Sequence, residues 1–327
     1  MFILGSCSAE SREQVLLTAR QIKEACVNTP FIFRAGAWKP RTSPDTFQGH
    51  GEKALEWLAE AKQTYCIDIA TEVATPEHVS AALKAGIDYL WIGARTSANP
   101  IATQAIADAL KNADCKGVLI KNPVSEDPAL WIGNIERLEK TGLPIYAIHR
   151  GCNHQPCWSM AHTIRTARPD IPLLIDPSHM SGDAAKIQSL LSKAAELHYN
   201  GAMIEVHPNP AEALSDAKQQ ITPNQLPNFI LPILDNTPTF NEVELEWLRA
   251  EIDELDDRLW ATIAARMDVS ERIGVWKKAH GVQPLQPQRF EQILAQRQKW
   301  AALNNLPPEF VQQLFHLIHR ESLNRQQ

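Results

Sequence analysis

An eightfold alternation of short apolar runs with longer amphipathic segments constrains this chain more than any other feature. Each run is four or five residues long, which suits strands buried on both faces of a parallel sheet. The predicted strands are Phe2–Gly5, Phe31–Arg34, Cys66–Ala70, Tyr89–Ile92, Val118–Lys121, Ile145–His149, Leu173–Asp176 and Ala202–Val206. The predicted helices between and after them are Ser11–Val27, Glu52–Thr64, Pro76–Ala85, Asn99–Lys111, Pro128–Lys140, Asp183–Leu197 and Pro210–Gln220.

Eight such units predict an α/β fold, a (β/α)8 barrel of the TIM type. The alternative is a doubly wound open sheet, which commonly carries a glycine-rich dinucleotide fingerprint after its first strand. Here Gly5 is followed by Ser6, Cys7 and Ser8, so the fingerprint is missing and the barrel is favoured.

The sequence pattern changes after about residue 221. Four prolines between Thr222 and Asn241 indicate a semi-rigid linker, and we place the domain boundary near residue 238, giving domains 1–237 and 238–327. Apolar residues then recur at three- and four-residue steps without any strand-like run, which predicts a small all-helical domain. Its predicted helices are Asn241–His280, Gln288–Leu303 and Pro308–Asn324. Because three helices of unequal length bury little alone, a homodimer is expected.

Charge and composition exclude several classes of protein. The formal net charge of −6 offers no general attraction to nucleic acid or to an anionic membrane. No apolar run approaches the roughly 18 residues that span a bilayer, and the start of the chain lacks the features of a signal peptide. The six cysteines are scattered and match no zinc pattern, so a cytoplasmic protein is expected.

Basic side chains lie at or after the ends of four of the eight predicted strands. In a barrel of this type, functional residues gather at the carboxyl ends of the strands. The basic residues at these ends are Arg34, Lys39, Arg41, Arg95, Lys121 and Arg150. Cations crowded into one pocket repel one another unless an anion neutralises them, so the pattern predicts a site for phosphorylated acids.

A second group of strand-end residues has the chemistry of metal ligands. It comprises Cys7, His179, Glu205 and Asp216. A thiolate, an imidazole and two carboxylates suit a borderline divalent metal ion. Any one of them alone is better explained by packing, and their shared placement carries the prediction. Cys152, His154 and Cys157 lack a fourth ligand and are interpreted as an ordinary loop.

The barrel motifs resemble the 3-deoxy-D-arabino-heptulosonate 7-phosphate (DAHP) synthase family. The matching segments are Leu4–Ser11, Arg34–Pro44, Gly93–Arg95, Ile148–Gly151, Ile175–His179, Ile204–Pro208 and Ala213–Asp216. The family joins phosphoenolpyruvate to erythrose 4-phosphate on a metal-dependent barrel, in the shikimate pathway of aromatic amino-acid biosynthesis. The related 3-deoxy-octulosonate 8-phosphate synthases have Ala-Asn where this chain has Pro40 and Arg41, which favours the four-carbon aldehyde. The loop after Arg150 departs from the family pattern.

The resemblance implies a role for each of these residues. It assigns the metal to Cys7, His179, Glu205 and Asp216, with manganese first and iron, cobalt or zinc as alternatives. It assigns phosphoenolpyruvate to Arg34, Lys39, Arg95, Lys121 and Arg150. It assigns the binding of erythrose 4-phosphate to Lys39, Pro40, Arg41, Thr42 and Ser43. Lys39 is expected to take part in catalysis.

The helical region resembles the all-helical chorismate mutases, of the AroQ type. The resemblance rests on Leu248–Asp256, Ala265–Arg266, Ile273–Lys277, Leu314–Phe315, Glu321–Ser322 and Gln326. It implies that a catalytic pocket for rearranging chorismate to prephenate is formed by Arg249 from the partner subunit, Arg266, Lys277, Arg289, Ser322 and Gln326. Where that family has an Asp and a Glu for the substrate hydroxyl, this chain has Gln286 and Phe290.

Two interpretations remain open at this stage. The first is a bifunctional enzyme with both activities. The second keeps the synthase but makes the helical domain a module for dimerisation and for sensing prephenate or chorismate, with prephenate as a feedback ligand of the synthase. A purely structural role would leave the convergent basic groups unexplained.

Overall fold

The computed structural model describes residues 1–40, 45–234 and 240–326, and it forms a closed eight-stranded parallel barrel followed by helices. The strands are β1 (Phe2–Gly5), β2 (Ile32–Arg34), β3 (Asp68–Val73), β4 (Tyr89–Ile92), β5 (Gly117–Lys121), β6 (Ile145–His149), β7 (Leu173–Ile175) and β8 (Gly201–Glu205). Each strand pairs with its neighbours in sequence order, and β8 pairs with β1 to close the barrel. The predicted fold class is confirmed.

Helices surround the barrel and continue beyond it. They are α1 (Arg12–Ala25), α2 (Glu52–Tyr65), α3 (Pro76–Lys84), α4 (Ala94–Ser97), α5 (Pro100–Ala109), α6 (Pro128–Glu139), α7 (Trp158–Ala167), α8 (Pro177–Ser181), α9 (Ile187–Glu196), α10 (Leu226–Leu234), α11 (Phe240–Ala279), α12 (Pro287–Leu303) and α13 (Pro308–Asn324). Side-chain caps begin several of them, as where Ser11 accepts a hydrogen bond from the backbone N–H of Gln14. None of the helices described combines the length and apolar character needed to cross a membrane.

The prediction for the segment after β8 was wrong. Pro210–Gln220 is not a helix but two short 3-10 turns, Pro210–Glu212 and Ala217–Gln219. Asp216 lies between them with φ of +50°, in the left-handed region that a continuous helix excludes. The helix that follows β8 is α10, within the segment predicted to be a linker. Its Pro227 lies in the first turn, where a missing N–H costs no hydrogen bond.

The chain divides into two compact units, Met1–Glu251 and Ile252–Gln327. The first turns of α11 belong to the barrel unit because Trp247 and Ala250 are fully buried in its core. The ring of Trp247 lies 5.6 Å from that of Tyr199 and is stacked on His162. The sequence places the domain boundary earlier, near residue 238, which lies outside the described residues, so this boundary stays a prediction.

The interior of the barrel is filled by one layer of mainly apolar side chains. Each strand contributes one residue: Ile3, Ile32, Ala70, Trp91, Leu119, Ile148, Leu174 and Met203. Because side chains alternate between the two faces of a strand, the residues two positions further along also point inward. They are Gly5, Arg34, Glu72, Gly93, Lys121, Arg150, Asp176 and Glu205. The apolar layer therefore forms the floor beneath a charged layer at the carboxyl ends of the strands.

Candidate active sites

A polar cavity of about 230 Å³ opens at the carboxyl ends of the strands. Its lining includes Lys39, Pro40, Glu72, Arg95, Lys121, Arg150, His154, His179, Asp216 and Gln219. A larger hollow of about 880 Å³ lies at the opposite end of the barrel, between the ends of α1 and α2 and the starts of β2 and β3. We assign the chemistry to the smaller cavity, because it lies at the end where barrel enzymes carry their active sites and because basic groups converge there.

The predicted basic residues that the structure describes are brought together at this end. Lys39, Arg95, Lys121 and Arg150 line the cavity, and Arg34 is buried in the charged layer, where it contacts Glu205. Arg41, Thr42 and Ser43 lie outside the described residues. Pro40 lines the cavity beside them.

Arg34 occupies an unusual position for a guanidinium group. It is 1% exposed, lies 4.7 Å above the ring of Trp91 and donates from Nη2 to Glu205 Oε1 at 3.1 Å. Its Nε and Nη1 atoms are buried without a hydrogen-bond partner among the described residues. Buried donors of this kind are costly unless a ligand satisfies them, so they favour an anion at this position.

Ion pairs hold the other charged groups in place. Lys121 Nζ donates to Asp176 Oδ2 at 2.6 Å, and Asp176 also contacts the ring of His179. Although burial opposes ionisation, His179 and Lys121 hold the pKa of Asp176 well below its ordinary value. Burial lowers the pKa of Lys121, and the negative charge of Asp176 partly offsets this lowering. Asp176 thus positions both a basic group of the cavity and a predicted metal ligand.

Three of the four predicted metal ligands lie together. A ligand atom from each of Cys7, Glu205 and Asp216 lies within 4.8 Å of the other two. The fourth, His179, has its Nε2 atom 3.5 Å from Glu205 Oε1. The left-handed backbone at Asp216 is the kind of local strain that recurs at functional sites. The donor set of one thiol, one imidazole and two carboxylates fits a borderline divalent ion.

The environment of Cys7 agrees with a site built for a cation. Burial and the carboxylates of Glu205 and Asp216 raise the pKa of the Cys7 thiol well above its ordinary value. Lys39 Nζ lies 3.0 Å from the Cys7 sulfur, and the thiol lies 2.9 Å from Asp216 Oδ2. Burial disfavours the ammonium of Lys39, but Cys7 and the nearby carboxylates outweigh it and raise the pKa of Lys39 to about 12.

Sequence reasoning missed one residue that contacts this group and misplaced another. Gln219 donates from Nε2 to Glu205 Oε2 at 2.7 Å and so fixes that carboxylate. No spacing rule singles out Gln219, because it reaches the cavity only through the turn that replaces the predicted helix. As the last residue of its predicted strand, next to Arg150, His149 is expected at the mouth of the barrel, and that expectation is wrong. Since Ile148 points into the barrel, His149 faces outward and bonds Tyr199 at 2.8 Å.

In the helical unit, the structure brings four of the six predicted mutase residues into two pairs. Arg266 Nη1 donates to the hydroxyl of Ser322, and Lys277 Nζ donates to Gln326 Oε1 at 2.9 Å. Burial and nearby Arg297 lower the pKa of Arg266. Gly274 permits this approach, because a β-carbon there would lie 2.6 Å from the α-carbon of Gln326.

The two remaining predicted mutase residues are not part of these pairs. Arg289 is exposed on α12. Arg249, in the barrel unit, is also exposed and forms an ion pair with Glu246 of its own helix. These positions leave both side chains accessible.

A closed barrel with a metal-ligand cluster and a basic cavity at its mouth defines a class of enzymes that act on anionic substrates. Comparison with known families is more specific. Residues 1–238 match the DAHP synthetase I family, and residues 248–327 match chorismate mutase type II. The chain therefore belongs to the DAHP synthetase I family, with a chorismate mutase region in the same polypeptide.

Individual relatives agree with this assignment. A phospho-2-dehydro-3-deoxyheptonate aldolase of Thermotoga maritima is 32% identical over 67% of this chain, and the match spans 64% of that relative's length. A 2-dehydro-3-deoxyphosphooctonate aldolase of Variovorax paradoxus is 29% identical over 69% of this chain and 84% of its own length. The crystal structure of the Thermotoga maritima DAHP synthase aligns with a TM-score of 0.63 at 29% identity, covering 72% of this chain and 68% of that one.

Proposed function

We propose that the barrel condenses phosphoenolpyruvate with erythrose 4-phosphate to give DAHP, and that the helical region rearranges chorismate to prephenate. The observation that carries the first activity is the convergence of buried and cavity-lining cations beside a metal-ligand cluster. Membership in the DAHP synthetase I family supports it. The match of residues 248–327 supports the second activity.

Phosphoenolpyruvate is held by the basic groups of the cavity. The unpaired Nε and Nη1 donors of Arg34 are buried in the barrel, and Asp176 fixes the ammonium of Lys121 there. Arg95 and Arg150 line the cavity around them. Guanidinium groups bind phosphate and carboxylate oxygens in a fixed geometry, and fixed cations stabilise the charge that shifts between these groups during the reaction.

A divalent metal ion completes the site, held by Cys7, His179, Glu205 and Asp216. Bound there, it supplies Lewis-acid polarisation of the aldehyde carbonyl. We place manganese first, with iron, cobalt and zinc as alternatives. Lys39 stays charged beside the Cys7 sulfur and lines the cavity, where it contacts both the metal-ligand group and the incoming substrates.

The aldehyde is the four-carbon sugar phosphate rather than the five-carbon one. Pro40 lines the cavity next to Lys39, and the sequence continues with the basic and hydroxyl residues Arg41, Thr42 and Ser43. This choice is testable, since the relatives include both heptonate and octonate phosphate aldolases.

The test measures phosphoenolpyruvate consumption by protein stripped of metal and resupplied with manganese. Erythrose 4-phosphate and arabinose 5-phosphate are offered separately. Metal-dependent turnover with the four-carbon sugar alone is expected. Turnover only with the five-carbon sugar contradicts the substrate choice, and turnover with neither contradicts the synthase.

The mutase pocket uses Arg266 and Ser322 for one carboxylate of chorismate and Lys277 with Gln326 for its ether oxygen. In this proposal Arg289 completes the pocket, and Arg249 comes from a partner subunit. A homodimer is supported by the uncovered apolar residues of α11, among which Ile252 is 59% and Trp260 66% exposed. The rearrangement then needs only the correct conformer and charge stabilisation at the ether oxygen.

The alternative treats the helical region as a sensor of prephenate or chorismate. Phe290 favours it, because this residue packs on Phe315 with ring centroids 5.6 Å apart and offers no carboxylate to a substrate. Chorismate turnover distinguishes the two functions. A feedback role is compatible with either, and it is excluded if prephenate leaves the synthase rate unchanged at every concentration.

A further inference from the structure

A histidine on α13 lies on the same helix face as a predicted mutase residue. His319 lies three residues before Ser322, a spacing that places both on one side of the helix, and Gln326 follows the end of α13. The Nε2 atom of His319 is buried and has no hydrogen-bond partner among the described residues. A buried polar atom of this kind calls for an explanation, because leaving it unpaired is costly.

Two phenylalanine rings pack near His319, and neither offers a hydrogen-bonding group. Its ring centroid lies 4.5 Å from that of Phe290 and 6.0 Å from that of Phe315. Burial lowers the pKa of His319, and the charges of Arg266 and Lys277 and the neighbouring His316 lower it further. The imidazole is therefore neutral at pH 7, and its free nitrogen can either donate or accept one hydrogen bond.

This chemistry matches one part of the substrate. Chorismate presents two carboxylates, an ether oxygen and a secondary hydroxyl. The guanidinium and ammonium groups of the pocket satisfy the anionic groups and the ether oxygen. The hydroxyl is both a donor and an acceptor, as is a neutral imidazole.

We propose that His319 forms a hydrogen bond with the substrate hydroxyl and so replaces the acidic residues that Gln286 and Phe290 displace. The proposal rests on the mutase function proposed above. It makes Phe290 part of the same adaptation, since its ring holds the imidazole in place. His319 thus determines specificity and does not itself move a proton in the rearrangement.

The experiment compares chorismate with its analogue lacking the hydroxyl, using His319→Leu and His319→Gln. Losing one buried hydrogen bond predicts that His319→Leu lowers kcat/KM for chorismate by roughly 10- to 100-fold. The same variant should leave kcat/KM for the deoxy analogue within about twofold, since that analogue never forms the bond. His319→Gln, which retains a donor and an acceptor, should recover much of the loss. Gln313→Leu serves as the exposed control on the same helix.

Each outcome decides something. Equal losses with both substrates, or no recovery by His319→Gln, overturn the proposal and leave His319 a packing residue. If the unmodified protein does not turn over chorismate, the mutase function fails, and prephenate binding measured by calorimetry then tests His319 separately. At least tenfold weaker binding of prephenate by His319→Leu supports the contact, and unchanged affinity overturns it.

Discussion

The two candidate sites of this chain are built in opposite ways. In the barrel, Arg34 is paired with Glu205 and Lys121 with Asp176, and all four side chains are buried. In the helical unit, Arg266 contacts Ser322 and Lys277 contacts Gln326. Many of the large apolar residues in the same helices are exposed. The described charged groups of the barrel cavity are therefore held in place within one chain, whereas the proposed helical site, which takes Arg249 from a partner subunit, would depend on surfaces that a single chain leaves uncovered.

The difference reflects how each fold places its side chains. A closed barrel forces eight strands to end at one mouth, so alternate residues must converge there. A helix presents residues every three or four positions along a long axis, and it converges on a partner only through packing. Changes in the barrel site should consequently act locally, while changes in the helical unit should affect both the site and its assembly.

The largest effect should follow from removing Cys7, a proposed metal ligand. We expect Cys7→Ser to lower DAHP synthesis at least about 100-fold, because the Lewis acid contributes several kcal/mol to the rate. Chorismate turnover should not change. The measurement is phosphoenolpyruvate consumption beside mutase rate, before and after chelation. Cys26→Ser, a buried cysteine at the end of α1, is the control. Full synthase activity in Cys7→Ser with chelator would exclude the metal site.

The reciprocal experiment removes the guanidinium of Arg266. Its contact with Ser322 places it in the predicted pocket, so Arg266→Ala should lower mutase kcat/KM about 100-fold through lost charge stabilisation. Arg272→Ala changes an exposed arginine of the same helix and should have little effect. The synthase rate measures whether the two sites act independently. An unchanged mutase rate in Arg266→Ala would show that the pocket lies elsewhere.

A smaller effect is expected from crowding within the helical unit. The β-carbon of Gly274→Ala would meet the backbone of Gln326, so this variant should lose about 1–3 kcal/mol of stability. Gly133→Ala in α6 meets only the end of the Arg137 side chain and should be neutral or slightly stabilising. Denaturant unfolding followed by helical signal tests both. Equal stability of the two variants would contradict the close packing of α11 and α13.

Much of the barrel follows from the sequence because its signals are local. The strands β1, β4 and β6 begin and end where the apolar runs do, and prolines begin several helices as expected. Every described cavity residue among the predicted basic groups comes from a strand end or the loop after it. These features need only the alternation of side chains and the rule that barrel sites lie at the carboxyl ends of the strands.

The segments that were misjudged depend on contacts far along the chain. Pro210–Gln220 has helical composition, but Gln219 and Gln220 turn back to bond Glu205 and the backbone of Cys7. The predicted linker contains α10 because Leu226 and Ile230 are buried against the barrel, which outweighs its prolines. The role of Trp247 as a core residue of the barrel unit likewise depends on Tyr199 and Trp158, which no local pattern connects to it.

Near neutral pH, the smallest predicted effect is the pH dependence of barrel stability. Burial, aided by Arg150, lowers the pKa of His149 to about 3. An unfolded histidine has a pKa of about 6.5, so between pH 6.5 and 3 the unfolded chain binds the extra proton and stability falls as the pH falls. The loss is at most about 1.4 kcal/mol per pH unit from this one group.

His149→Gln should flatten the slope of unfolding free energy against pH. Tyr199→Phe, which removes only the hydroxyl partner and leaves the imidazole buried, should keep the slope. Identical slopes in the unmodified protein and His149→Gln would show that this imidazole is protonated in the folded barrel.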